Sequence, residues 1–151
     1  MKNAEVFLVN NFKFDPKRER KASETHILLA EDGLVHVRIL QAVLVRDGYT
    51  FSWLSDGLEA YEAIKGGFRP SLLITDVKMP GISGFELMTR LKQENLLPPT
   101  LVLTAVQEEE EVLRGLQLGA MDYVKKPISP AVISAKVRLI LSLHKTSMQS
   151  A

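Results

Sequence analysis

From Thr25 onward, short apolar runs alternate with longer stretches whose apolar residues recur at helical spacing. His26–Ala30 is an apolar run that stops on Glu31-Asp32. Leu34–Asp47 follows with Val35, Ile39, Ala42 and Val43 at helical spacing and Gly48 as its stop. Tyr49–Leu54 sets Tyr49, Phe51 and Trp53 against the smaller Thr50 and Ser52, as an edge strand with unlike faces would. Asp56–Lys65 predicts a helix capped by Asp56 or Ser55 and ended by Gly66-Gly67. Leu72-Leu73-Ile74 opens a buried strand that ends on Asp76, and Met79-Pro80-Gly81 with Gly84 forces a turn before a helix over Phe85–Asn95. Thr100–Thr104 predicts the next strand. Glu108–Leu118 predicts the next helix, stopped by Gly119, with Glu108–Glu111 in the first turn where the helix dipole favours acids. Tyr123-Val124 is a short strand leading to Lys125-Lys126-Pro127, and Pro130–Lys145 is the last helix, with Pro130 suited to its first turn.

Alternating strands and helices of this kind predict an α/β fold, a doubly wound, five-stranded parallel sheet with helices on both faces. Right-handed crossovers leave few topologies, and the flavodoxin-like order 2-1-3-4-5 is the common five-strand solution. On this reading 1–24 is a flexible extension, 25–145 the folded domain and 146–151 a tail. In the extension, six basic residues face four acidic ones around Pro16, and Val6–Val9 reads as either a short strand or a sticky tail. A partner-docking segment is the functional alternative for this stretch. In the last helix Ile133, Val137, Ile140 and Leu141 form the stripe expected to face the sheet. Val132, Ala135, Leu139 and Leu143 form a second stripe, read either as a broader buried face or as a dimer interface or linker helix.

Composition narrows the function classes. The 151 residues suffice for one domain with a substantial core, and a net charge of +1 argues against a general nucleic-acid binder. Cysteine is absent, which excludes disulfides, cysteine metal sites and thiol catalysis and fits a cytoplasmic setting. No apolar stretch approaches a membrane span, and the Val6–Val9 run is too short for a signal-peptide core. His26, His36 and His144 have no metal-ligand spacing, and His36 and His144 are expected at the surface or a rim.

The chemistry lies at the strand ends. Glu31 and Asp32 end the first predicted strand, Asp76 the third and Thr104 the fourth, and Lys126 follows the fifth. In the order 2-1-3-4-5 these four strands are neighbours, so the five side chains converge on one sheet edge. Three carboxylates crowded together repel one another, and Lys126 offsets only one of those charges. A hard divalent cation with oxygen ligands offsets the rest, and Mg²⁺ is the natural choice. A cation, a lysine and a hydroxyl around one carboxylate stabilise a transferring phosphoryl group with Asp76 as nucleophile.

Over Thr25 to Lys145 these motifs resemble the receiver domain of two-component response regulators, chemotaxis regulators among them. The resemblance implies that Glu31-Asp32 is the acidic Mg²⁺ pair, with Glu where many members carry Asp, a change that lengthens its reach. Asp76, in Asp-Val-Lys-Met-Pro-Gly-Ile-Ser-Gly, is then the phosphoacceptor, and the backbone carbonyl of Lys78 a further metal ligand. Thr104 in Leu-Thr-Ala matches the switch hydroxyl, Tyr123 the switch aromatic, and Lys126-Pro127 the family's lysine with its cis-proline. Lys78 and Val106, each two residues past a site residue, are expected to influence phosphoryl lifetime. The implied partners are a histidine kinase or histidine phosphotransfer protein upstream, and an effector protein or covalently linked output domain downstream. Catalysis is limited to the domain's own phosphorylation and dephosphorylation, and output passes through the face made by the fourth helix, fifth strand and fifth helix. The chain is expected to bind neither nucleic acid nor membrane directly.

Two enzyme classes are set aside. An aspartate-nucleophile phosphatase of the haloacid dehalogenase type wants a second Asp where Lys78 stands, and a P-loop nucleotide hydrolase wants a glycine-rich lysine motif absent from this chain. A phosphorylation-independent interaction module of the same fold is the alternative from another class.

Overall fold

The computed structural model describes residues 7–8, 25–105 and 109–150, with 7–8 and 145–150 by backbone alone. Its strands are β1 (Phe7–Leu8), β2 (His26–Ala30), β3 (Thr50–Leu54), β4 (Leu72–Asp76), β5 (Thr100–Thr104) and β6 (Asp122–Lys125). The helices are α1 (Leu34–Arg46), α2 (Gly57–Lys65), α3 (Gly84–Gln93), α4 (Glu109–Gln117) and α5 (Pro130–Ser150). The sheet order is β1-β3-β2-β4-β5-β6. β2 to β6 are parallel and take the expected order 2-1-3-4-5, and β1 adds a sixth, antiparallel strand, with Phe7 opposite Trp53 and Leu8 opposite Ser52. The two-residue strand falls within Val6–Val9; the rest of 1–24, the Val106 position and Glu108 lie outside the described residues.

A parallel sheet covered on both faces needs strands apolar throughout, and β2, β4 and β5 are buried at every position. One face (Ile27, Leu29, Ile74, Leu103) packs on Val37, Leu40 and Leu44 of α1 and Ile133, Val137 and Ile140 of α5. The other (Leu28, Ala30, Leu73) packs on Ala60 and Ile64 of α2 and Leu87 and Leu91 of α3. The second predicted strand has the unlike faces expected of it but not the edge position, because β1 pairs along its outer side. Phe51 and Trp53 join the first core layer, Leu54 joins the second, and Ser52 is buried with its hydroxyl 2.8 Å from His26 Nε2. Tyr49 falls outside that strand because Gly48 (φ +87°) turns the chain and the Tyr49 N–H bonds to Leu44 O at 2.9 Å.

Helix boundaries moved for local reasons. Asp56 is the cap of α2, its Oδ1 accepting from Leu58 N at 2.7 Å and Glu59 N at 3.2 Å. Ser83 caps α3 by accepting from Glu86 N at 3.1 Å, which starts the helix at Gly84. α5 continues past the expected end at Lys145 to Ser150, because 146–150 contain neither glycine nor proline to stop it. Its stripe of Ile133, Val137 and Ile140 faces the sheet as expected. The second stripe is not a broader buried face, since Val132, Ala135, Leu139 and Leu143 are exposed.

Candidate phosphoacceptor site

The site lies at the carboxyl edge of the sheet, where the buried strands β2, β4 and β5 run out of apolar sequence and where Lys126 follows the partly exposed β6. Asp76 closes β4 and is 7% exposed. Its Oδ1 accepts from the Val77 N–H at 2.8 Å and its Oδ2 from Lys126 Nζ at 2.8 Å, so both oxygens are fixed by donors. The turn after it is held by Gly84 N donating to Val77 O at 2.7 Å. A Cβ on Gly84 would lie 2.0 Å from Asp76 O, so the backbone closes over the acceptor only with glycine at that position.

Glu31, after β2, is 1% exposed. Its Oε1 accepts from Gly33 N at 2.9 Å, and its Oε2 stands 3.4 Å from Lys126 Nζ in an ion pair but makes no hydrogen bond. Burial, then the neighbouring charge of Asp76, pushes the Glu31 carboxyl up to about 7, against the pull of the Gly33 N–H and of Lys126. Asp32 beside it is exposed. Carboxylate oxygens of Glu31, Asp32 and Asp76 all lie within 4.8 Å of one another. Lys126 is half-buried between Asp76 and Glu31. Burial disfavours its ammonium, but the hydrogen bond it donates to Asp76 and the charge of Glu31 outweigh this and raise its pKa. The Lys126-Pro127 peptide bond is cis.

Thr104 ends β5, one residue past Leu103, which is paired with Asp76 in the register. It is buried and lines a small, partly open cavity of about 10 Å³ together with Val77, Phe85, Val102 and Tyr123, the last on β6. Lys78 is exposed in the turn two residues past Asp76.

Three contributors to the site carried no sequence signal of that role. Trp53 donates its indole N–H to the Glu31 carbonyl oxygen at 2.5 Å and so anchors the backbone of the acidic pair. Its place in an alternating strand pattern pointed only to packing. His36 lies at the rim as expected, its Nδ1 3.7 Å from Glu31 Oε1. Burial and the charge of Lys126 hold its imidazole below the usual histidine range, so this contact is not an ion pair at neutral pH. Glu111 on α4 lines the Thr104 cavity, where its membership of an acidic first turn had pointed only to helix-dipole stabilisation.

The family model for the response regulator receiver domain matches residues 27–138. The transcriptional regulatory protein CseB of Streptomyces avermitilis is 38% identical over 120 residues, 80% of this chain and 50% of that protein. The alkaline phosphatase synthesis transcriptional regulatory protein PhoP of Bacillus subtilis is 41% identical over 115 residues, 76% of this chain and 48% of that protein. The chain thus spans about half the length of these curated relatives. Among solved structures, the signal receiver domain of a signal transduction histidine kinase from Syntrophus aciditrophicus superposes with a TM-score of 0.69 at 32% identity, covering 78% of this chain and 90% of that one. A CheY-like response regulator receiver domain protein from Methanospirillum hungatei shares the fold at a TM-score of 0.75 and 22% identity, covering 83% of this chain and 99% of that one.

Proposed function

The chain belongs to the response regulator receiver family of two-component systems, and from that premise we propose that it takes a phosphoryl group on Asp76 and signals through the face of α4, β6 and α5. The observation that carries this reading is the setting of the Asp76 carboxylate, held by Val77 N–H and Lys126 Nζ with two further carboxylates within 4.8 Å. In the transfer, the P–N bond of a partner's phosphohistidine breaks, a P–O bond to an Asp76 oxygen forms, and the imidazole leaves with a proton taken from water. Lys126 stays beside the acceptor and stabilises the charge on the transferring oxygens. Thr104 supplies a hydroxyl to one of them, and its displacement opens the cavity toward which Tyr123 can turn.

Three hard oxygen donors, with the buried Glu31 Oε2 lacking a hydrogen bond, fit a Mg²⁺ ion. Glu31, Asp32 and Asp76 would hold it together with the Lys78 carbonyl. When bound, Mg²⁺ neutralises charge on the phosphoryl oxygens.

The domain acts on itself alone, catalysing its own phosphorylation and dephosphorylation. Upstream it meets a histidine kinase or phosphotransfer protein in the cytoplasm. Downstream it acts on an effector protein or a linked output domain; the relatives named above are transcriptional regulators. Among the described residues no helix is long and apolar enough to cross a membrane. The exposed stripe of Val132, Leu139 and Leu143 on α5 is the surface available to a second copy, and a monomer at all concentrations, with and without a phosphoryl mimic, would remove the homodimer. Mg²⁺ titration separates the phosphoacceptor from a phosphorylation-independent module: millimolar affinity is expected, and its absence favours the module. Trp53 is the single tryptophan and touches Glu31, so its fluorescence reports the titration.

A further inference from the structure

Tyr123 stands between two charged side chains that the transfer chemistry does not use. On its outer side α5 presents Lys136, whose Nζ donates to the Tyr123 carbonyl oxygen at 2.8 Å and pairs with Asp122 Oδ2 at 3.0 Å. The same ammonium lies 5.2 Å from the centroid of the Tyr123 ring, within cation–π range. On its inner side is the cavity shared with Thr104, into which α4 contributes Glu111. The Glu111 Oε2 atom is buried there without a hydrogen-bond partner among the described residues. Such an atom in a largely apolar enclosure is an acceptor waiting for a donor.

Size explains why the donor is not already in place. A cavity of about 10 Å³ holds about one water molecule and no phenol ring. The ring enters only when the cavity is enlarged, and Thr104 is the wall residue that a phosphoryl group on Asp76 would draw away. The half-buried ring already borders the cavity, and turning further inward moves it from Lys136 and carries its hydroxyl toward Glu111, the acidic side chain on the wall.

We propose that Lys136 and Glu111 are the two positioning residues of the Tyr123 switch: Lys136 holds the ring outward in the resting protein, and Glu111 accepts its hydroxyl in the inward position. The proposal rests on the reading of Asp76 as phosphoacceptor and of Thr104 as the coupled hydroxyl. Because linkage is reciprocal, whatever favours the inward ring also tightens a phosphoryl mimic at Asp76. The two substitutions therefore act with opposite sign.

The test is beryllofluoride affinity of the full chain in Mg²⁺, with the resting tyrosine resonances followed in fluorotyrosine-labelled protein. Lys136→Met should tighten beryllofluoride by about 2- to 5-fold, the scale of one exposed cation–π contact. Glu111→Ala should weaken it by about 3- to 10-fold, the scale of one hydrogen bond. Lys136→Arg and Glu111→Gln keep a cation and an acceptor and should restore near wild-type affinity. In a Tyr123→Ala background neither Lys136→Met nor Glu111→Ala should shift affinity. Shifts of the same sign, or shifts that survive in Tyr123→Ala, overturn the proposal. The Tyr123 resonance, assigned among three tyrosines by substitution, should move in Lys136→Met without any mimic present, and an unmoved resonance also overturns it. If the wild-type chain binds no beryllofluoride, the phosphoacceptor reading falls, and the inward half of this proposal falls with it. The resonance then still decides whether Lys136 holds the ring.

Discussion

Glu31 has the most unfavourable environment of the site residues, an acid 1% exposed beside a second carboxylate. With its folded pKa near 7 against an ordinary 4.5, the folded state holds more protons than the unfolded chain across that window. Without divalent ions, its contribution is therefore most favourable below about pH 4.5 and is lost as pH rises through about 7. The loss is about 1–3 kcal/mol. Denaturant melts in chelator should show wild type losing stability relative to Glu31→Gln between pH 4.5 and 7; parallel profiles would contradict it. Lys126→Ala leaves Glu31 and Asp76 together without their cation. It should destabilise the metal-free fold by about 3 kcal/mol and slow phosphorylation while Mg²⁺ still binds; melts and labelling rates with and without Mg²⁺ check both halves. Asp76, Glu31-Asp32 and Thr104 were legible in the sequence because each ends or follows an apolar run that has to be a buried strand, and Lys126 because it follows the last short strand before Pro127. Trp53 was not legible. Its contribution is an indole N–H on a carbonyl brought close by β2–β3 pairing, and no spacing along the chain encodes that contact.

At the scale of elements, turns and caps aim the site. Gly84→Ala places a Cβ against the Asp76 carbonyl, and it should cost about 1–3 kcal/mol in thermal melts and displace the acceptor. Asp56→Ala removes the α2 cap, whose carboxylate lies beside Gly81 in the turn after Asp76. It should cost about 1 kcal/mol in thermal melts with Asp76 still labelled, and a chain that no longer labels would contradict this. Strand identity was readable from apolar runs of about the right length, and helix ends less so. The apolar pattern starts α3 at Phe85, whereas the Ser83 cap starts it one residue earlier at Gly84, and α5 runs on because nothing in 146–150 stops it. The exposure of the second α5 stripe could not be settled from periodicity, which identifies apolar faces but not what covers them.

For the whole molecule, the parallel order of β2 to β6 brings four strand ends to one edge, and the antiparallel β1 lies on the other side of β3, at the sheet margin. β1 escaped firm assignment because two paired residues within a charged segment leave no periodic pattern. Deleting residues 1–24 should leave Mg²⁺ affinity unchanged, since the three carboxylates come from the ends of β2 and β4; a changed affinity would tie the extension to the site through Trp53, which lies opposite Phe7. The central claim is that Asp76 receives the phosphoryl group. Intact-mass analysis of the chain incubated with acetyl phosphate should show one added phosphoryl group in Mg²⁺, none in chelator and none in Asp76→Asn. Undiminished labelling of Asp76→Asn would contradict it.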